Sequence, residues 1–246
     1  MFLNNLPALT LGTAIPWDLV QQSFWPILSG GIYYTIPLTI LSFIFGMILA
    51  LITALARMSK VRPLRWVFSV YVSAIRGTPL LVQLFIIFYL FPAFNVTLDP
   101  FPSAVIAFSL NVGAYASEII RASILSVPKG QWEAGYTIGM THQKTLFRVI
   151  LPQAFRVSIP PLSNTFISLI KDTSLASQIL VAELFRKAQE IGARNLDQIL
   201  VIYIEAAFIY WIICFLLSLV QHVIERRLDR YAGQIRRFRV CLPLKD

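Results

Sequence analysis

Five apolar runs, each long enough to cross a lipid bilayer as a helix, leave few folds open to this chain. A helix needs about 20 apolar residues to span about 30 Å of hydrocarbon. The runs are Ile32 to Ala56, Trp66 to Phe91, Ser103 to Leu125, a less regular Val157 to Val181, and Ile199 to Val223. Composition agrees, since 57% of the 246 residues are hydrophobic and 13% are charged, where soluble domains carry about 25% charged residues. Too few polar groups remain to cover a water-facing globule. The expected fold class is an all-α integral membrane protein with five transmembrane helices. Disordered, collagen-like and disulfide-rich classes are excluded. Cys214 and Cys241 make no disulfide framework, and with His142 and His222 as the only histidines no metal site is expected.

The formal charge of +9 could suggest a nucleic-acid partner, but the basic residues follow the loops. Arg57, Lys60, Arg62 and Arg65 follow the first run. Arg121, Lys129, Lys144, Arg148 and Arg156 follow the third. Arg226, Arg227, Arg230, Arg236, Arg237, Arg239 and Lys245 fill the tail. The opposite side has no Lys or Arg before the first run or in Pro92–Pro102, and its last loop holds Arg186, Lys187 and Arg194. The positive-inside rule then places the N-terminus outside and the C-terminus in the cytoplasm of a bacterial plasma membrane, and no nucleic acid is needed. The first thirty residues lack the basic n-region of a cleavable signal peptide. Within them, Trp17–Leu28 suits a helix at headgroup level, which Gly30–Gly31 should break from the first span. The expected organisation is an extracytoplasmic segment over 1–30, a membrane domain over 31–225 in contact with lipid, and a basic cytoplasmic tail over 226–246.

The most informative stretch is the cytoplasmic loop Ser126 to Phe155. Ser126 can cap a helix start and Pro128 suits its first turn. In the helix that follows, Trp132, Tyr136 and Met140 fall at i, i+4 and i+8 and form one apolar stripe. Gly135 and Gly139, on an adjoining face, let a neighbour approach closely, at a cost of about 1 kcal/mol each against Ala. This spacing alone fits a docking element and an amphipathic helix on lipid headgroups equally well.

The same stretch carries a specific pattern: Glu133-Ala134-Gly135, three residues, Gly139, nine residues, Val149, one residue, then Leu151-Pro152. It resembles the cytoplasmic-loop signature of ABC importer permeases, departing from the usual form at Gly135 for Ala and Val149 for Ile. The resemblance implies the five-helix type I importer permease fold. It also implies that Trp132, Glu133, Ala134, Gly135, Tyr136, Gly139, Met140, Leu151 and Pro152 form a coupling element held by a cytoplasmic ABC ATPase dimer. Further stretches resemble the polar amino-acid branch of that family: Arg76-Gly77-Thr78-Pro79 with Gln83, Asn111 through Ala114-Tyr115 to Glu118, and Lys129-Gly130-Gln131-Trp132-Glu133. So does Pro161-Leu162-Ser163-Asn164 leading to Lys171-Asp172-Thr173-Ser174-Leu175. Leu98-Asp99-Pro100 to Ser103 and Glu183-Leu184-Phe185-Arg186 look most like cystine permeases, beside the histidine, glutamine and arginine permeases that share most motifs.

Charges inside apolar runs are costly and mark functional candidates. Arg76 lies ten residues into the second run, with Pro79 set to loosen the helix just beyond it. It can serve as a packing clamp or as a ligand contact. Glu118 and Arg121, at i and i+3, can pair along one helix face. The fourth run is interrupted by Pro160-Pro161, Ser163-Asn164-Thr165 and Lys171-Asp172-Thr173-Ser174, the pattern of a broken helix lining a cavity. Lys171 and Asp172 should face different sides of that helix. Glu205 could answer Arg76 or Lys171. A zwitterionic amino acid needs an anionic partner, a cationic partner and hydroxyl or amide donors. Arg76, Glu118, Asn164, Lys171, Asp172 and Ser174 supply them.

Together these features predict the permease subunit of an ATP-driven importer of a polar amino acid, with L-cystine first among the substrates. The chain has no G-x-x-x-x-G-K-[ST] motif. It is expected to bind no cofactor and catalyse nothing itself, with ATP and Mg on the partner ATPase. Five spans point to a second permease subunit, a homodimer, and substrate is expected from an extracytoplasmic binding protein. An ion-gradient-driven secondary transporter would explain the buried charges but not the Leu-Pro loop. A membrane enzyme would need a nucleophile–base pair or metal cluster that the two histidines do not supply.

Overall fold

The computed structural model describes the backbone of residues 16–240 and the side chains of residues 16–226, so the readings of residues 1–15, Cys241 and Lys245 fall outside it. Every element among the described residues is helical. Helix α1 (Trp17–Gly30) passes through one π-helical turn, Gly31–Thr35, into α2 (Ile36–Met58). Then come α3 (Arg62–Arg76), α4 (Leu80–Ala93), α5 (Pro100–Leu125) and two short helices, α6 (Lys129–Thr137) and α7 (His142–Thr145). A second π-helical turn, Leu146–Ile150, leads into α8 (Leu151–Asp172), and a 3-10 segment, Thr173–Ile179, precedes α9 (Leu184–Gly192) and α10 (Ile199–Val240).

Helix α5 is the hub, packing on α2, α3, α4 and α8. Lipid tails are as apolar as Leu, so helices in a bilayer gain by close backbone approach, and small residues gather where they meet. Ala50 and Ala54 of α2 face Ala104, Ala107 and Ala116 of α5 within one buried cluster. A Cβ on Gly46 would lie 2.6 Å from Val112 Cγ1, which only glycine avoids. A second cluster, Ile27, Leu184, Ala188, Ile202, Ala206 and Ile209, joins α1, α9 and α10. Its polar centre is the fully buried Glu183, which caps α9 by accepting from the Phe185 and Arg186 N–H groups at 2.8 and 2.6 Å and from the Tyr210 hydroxyl at 2.8 Å. Burial pushes the Glu183 carboxyl up from its ordinary range, and those three hydrogen bonds pull it back.

Three expectations are corrected here. The chain does not break at Gly30–Gly31; residues Trp17–Met58 form one helix of 42 residues. These glycines provide room, because a Cβ on Gly30 would meet Lys187 Cγ at 2.9 Å and the Glu183 carbonyl oxygen at 3.1 Å. Helix α1 therefore packs on α9 and α10, with Trp17 and Trp25 left exposed. The second apolar run is two helices, bent by 111° at Gly77–Thr78–Pro79. The fourth run is not broken at its prolines: α8 is continuous through Pro160 and Pro161, and its regular winding ends at Asp172, eight residues before Leu180 adopts a left-handed φ of 67°. The fifth run lies within α10, which continues beyond it through Arg226 to Val240.

By length and composition, three helices among the described residues can cross a bilayer, Trp17–Met58, Pro100–Leu125 and Leu196–Arg226, and the bent α3–α4 pair makes a fourth. Helix α8 has 22 residues, enough to cross, but its prolines, amides, hydroxyls and charges make it too polar to face lipid alone.

Candidate functional site

Two features stand out, a helical hairpin between α5 and α8 and an open cleft lined by polar side chains. The hairpin is α6 and α7, between the end of α5 and the start of α8. Ser126 does not cap α6. It is the C-cap of α5, and its hydroxyl donates to the Ser123 carbonyl at 2.8 Å, while Pro128 stands at the α6 cap. Trp132 turns inward against the main core and stacks on His142 with ring centroids 5.0 Å apart. The Tyr136 hydroxyl shares a 2.8 Å hydrogen bond with His142 Nδ1. Met140 does not extend this stripe, because α6 ends at Thr137 and Gly139 turns the chain with φ +77°. The two glycines thus have separate jobs. Gly139 makes the turn and nothing lies within 4 Å of its would-be Cβ, whereas Gly135 is buried with Thr145 Cγ2 at 2.6 Å from that position. The close approach that Gly135 permits is made by α7 of the same chain. Leu151 packs on the core and Pro152 occupies the first turn of α8. Glu133, Ala134, Tyr136, Ile138 and Phe147 stay exposed, Ile138 to 76%, beside the exposed His142, Gln143, Lys144 and Arg148, so the loop presents apolar groups among polar and charged ones.

The cavity, of about 610 Å³, lies between the α3–α4 bend, α5 and α8. It brings together four residues expected on the substrate path, Arg76, Glu118, Asn164 and Asp172, and adds Thr78, Asn111, Tyr115, Thr165 and Ser168. Glu118 is its electrostatic anchor. Arg57 bonds its Oε1, and Arg121 donates to Oε2 from Nε and Nη2 at 3.0 and 2.8 Å. The expected Glu118–Arg121 pair is therefore present. Arg76 stands 3.8 Å from Glu118 Oε1, too far for a hydrogen bond, with its guanidinium carbon 5.4 Å above the Tyr115 ring. Arg57 and Arg121 satisfy the carboxylate, and the Arg76 donors remain open to the cavity. Across from it, Asp172 makes no ion pair among the described residues. The side-chain Oδ1 of Asn164 accepts from Gln221 Nε2 at 3.0 Å. This wall can grip a carboxylate at one point and an ammonium at another, with amide and hydroxyl groups between.

Lys171 and Ser174 do not join that cavity. They line a separate one of about 570 Å³ with Phe185, Tyr203, Tyr210, Trp211 and Cys214. Glu205 answers neither Arg76 nor Lys171. It is buried, accepts from the Ser23 hydroxyl of α1, and leaves Oε1 without a partner. Sequence reasoning gave no role to Asn111, Tyr115 and Ser168. Their signal was helical spacing: Asn111, Tyr115 and Glu118 lie at i, i+4 and i+7 on α5, and Asn164, Ser168 and Asp172 at i, i+4 and i+8 on α8. Arg57 gave no local signal, because its partner lies 61 residues away.

Known proteins resemble this chain in sequence and fold. The chain is 99% identical over 234 residues, 95% of its length and 100% of the relative's, to the L-cystine transport system permease protein TcyB of Bacillus subtilis (strain 168). It is 40% identical to the glutamine transport system permease protein GlnP of Escherichia coli (strain K12), covering 86% of this chain and 97% of that one. Among solved structures, an amino acid ABC transporter crystallised with histidines matches at TM-score 0.81 and 37% identity, over 87% of this chain and 99% of that chain. The inward-facing MetNI methionine ABC transporter matches in fold, with TM-score 0.61 at 17% identity over 86% of this chain and 97% of that one. Residues 42–230, which hold the hairpin and every residue lining the polar cavity, match the family described as binding-protein-dependent transport system inner membrane component, and the chain belongs to that family.

Proposed function

We propose that this chain is the permease subunit of an ATP-driven importer of L-cystine. The observation that carries the reading is the cavity lined by both Arg76 and Asp172, with Asn111, Asn164, Thr165 and Ser168 also on its walls. Each end of cystine is a zwitterion, so an open guanidinium can take a carboxylate and an unpaired carboxylate an ammonium. The near-identity to a permease named for L-cystine supports that substrate over other amino acids.

In this reading five spans cross the membrane, four apolar ones and α8, which is shielded from lipid by its neighbours. The N-terminus lies outside and the C-terminus in the cytoplasm, as the Lys/Arg distribution favours. The hairpin then projects into the cytoplasm, where the exposed Ile138 and Phe147 with Glu133 offer a knob to an ABC ATPase dimer that binds ATP and Mg. Residues Trp132 to Met140, Leu151 and Pro152 act as that coupling element, Gly135 and Trp132 holding its shape from within. ATP-driven closure of the ATPase pair would move two such hairpins and turn the cavity from one side to the other. A second copy of this chain completes the membrane unit, with Lys171 and Ser174 on the wall facing it. An extracytoplasmic binding protein delivers the substrate.

The test is the complex of this permease with its ATPase and binding protein in nanodiscs, with ATP hydrolysis measured across a panel of amino acids. L-Cystine should stimulate hydrolysis more than histidine, glutamine or arginine. Uptake driven by a proton gradient without any ATPase would overturn the class, and stronger stimulation by another amino acid would overturn the substrate.

A further inference from the structure

The 111° bend between α3 and α4 leaves carbonyl groups without their helical partners. Pro79 has no N–H to return to Ile75 four residues back, and Thr78 lies between α3 and α4, with its carbonyl outside either helical ladder. One side chain answers both. Gln83, buried in the second turn of α4, donates from Nε2 to the Ile75 carbonyl at 2.7 Å, to the Thr78 carbonyl at 3.0 Å and to the Thr78 hydroxyl oxygen at 3.0 Å. Its Oε1 accepts from Asn111 Nδ2 at 3.0 Å. Arg76 and Thr78, on the bend, and Asn111, on α5, all line the polar cavity.

We infer that Gln83 is a positioning residue for substrate recognition: its amide ties the bend that carries Arg76 to the α5 amide of Asn111, and so sets both on the cavity wall. The inference rests on the reading of that cavity as the substrate site. Gln83 does not line the cavity and acts through the residues it holds. The linkage needs a donor and an acceptor on one side chain of this length. Glutamate matches the shape but turns an oxygen toward three oxygens, and methionine matches the volume with neither function. A residue needed for packing alone would be replaced better by either than its hydrogen bonds allow.

The experiment is equilibrium binding of labelled L-cystine to the permease–ATPase complex in nanodiscs without binding protein, with co-purification of the ATPase as the folding check. Gln83→Met should weaken binding about tenfold, the size of one or two lost hydrogen bonds. Gln83→Glu should weaken it further. In an Arg76→Ala background, Gln83→Met should add less than about twofold, because its effect passes largely through Arg76. Wild-type affinity in Gln83→Met overturns the inference, as does better binding by Gln83→Glu than by Gln83→Met, or full additivity with Arg76→Ala. If Gln83→Glu fails to assemble, Gln83→Met alone and with Arg76→Ala decides the matter. Wild-type binding by Arg76→Ala itself would instead remove the reading of the cavity, whatever Gln83 does.

Discussion

Lys171 and Asp172, adjacent at the end of α8, open into different cavities: Asp172 into the polar one beside Arg76, Lys171 into the aromatic one beside Trp211 and Cys214. Successive residues on a helix are turned by about 100°, so the two charges cannot simply cancel. The polar cavity holds one carboxylate free of arginine at Asp172, while Glu118, the other, is already held by Arg57 and Arg121.

This separation predicts unequal effects of neutralising the two neighbours. Asp172→Asn should weaken L-cystine binding to the permease–ATPase complex by about 30-fold or more, the loss expected when one partner of a desolvated charge pair goes. Lys171→Gln should change it less than about threefold. Equilibrium binding with labelled substrate reads both, and the reverse order would move the substrate site to the aromatic cavity.

Glu118 should matter to the fold more than any one of its arginines. Its side chain is 19% exposed and holds three guanidinium groups together, so Glu118→Gln leaves Arg57 and Arg121 short of a counter-charge. Breaking such a partly buried cluster should cost about 2–3 kcal/mol, seen as a lower melting temperature in nanodiscs. Arg121, with 36% of its side chain exposed, should cost less than about 1 kcal/mol when changed to Gln. Equal losses for the two variants would contradict the shared-carboxylate arrangement.

Where chemistry is local, the residues could be read without coordinates. Pro79 three residues after Arg76 marked a loosened helix, the i, i+3 spacing of Glu118 and Arg121 marked a pair, and Lys171 and Asp172 were bound to diverge. The extent of the bend was less visible, since apolar residues resume at Leu80 directly after Arg76–Pro79 and the two helices read as one run. What spacing could not show were partners brought together by folding, Arg57 with Glu118 across 61 residues and Ser23 with Glu205 across 182. Met140 was misplaced for a different reason. Its i+8 spacing assumed a helix that the left-handed turn at Gly139 ends. Gly30 was read as part of a helix break when its missing side chain serves contact with α9.

The hairpin offers a compensating pair. Even alanine at 135 would place a Cβ 2.6 Å from Thr145 Cγ2 and 2.8 Å from its hydroxyl. Overpacking of this kind costs about 1–3 kcal/mol, enough to shift α6 off α7. Gly135→Ala should reduce ATPase co-purification several-fold, and Gly135→Trp should abolish it while the permease still inserts. Thr145→Ala removes both close atoms, so Gly135→Ala with Thr145→Ala should regain most of the binding. Loss of co-purification in the double variant equal to that in Gly135→Ala would show that the partner needs the glycine itself.

Among the described residues, Ser23–Glu205 is the one side-chain hydrogen bond between α1 and α10, beside the apolar cluster around Ile27. Glu205 is 8% exposed, and the Ser23 hydroxyl is its one hydrogen-bond partner among the described residues, leaving Oε1 unsatisfied. Ser23→Ala strips the buried carboxyl of that partner and should destabilise the packing of α1 by about 1–3 kcal/mol. Glu205→Leu removes both needs at once, the hydroxyl of Ser23 falling back on the Leu19 carbonyl that it already reaches at 2.8 Å. Replacing both partners of a buried hydrogen bond by apolar groups is nearly neutral, so Ser23→Ala with Glu205→Leu should melt close to the parent protein while Ser23→Ala alone does not. Hydrogen exchange over Trp17–Gly30 localises the effect, and faster exchange there in Ser23→Ala, restored by Glu205→Leu, is the expected result. Unchanged exchange in Ser23→Ala would mean that apolar burial around Ile27 holds α1 without the hydroxyl.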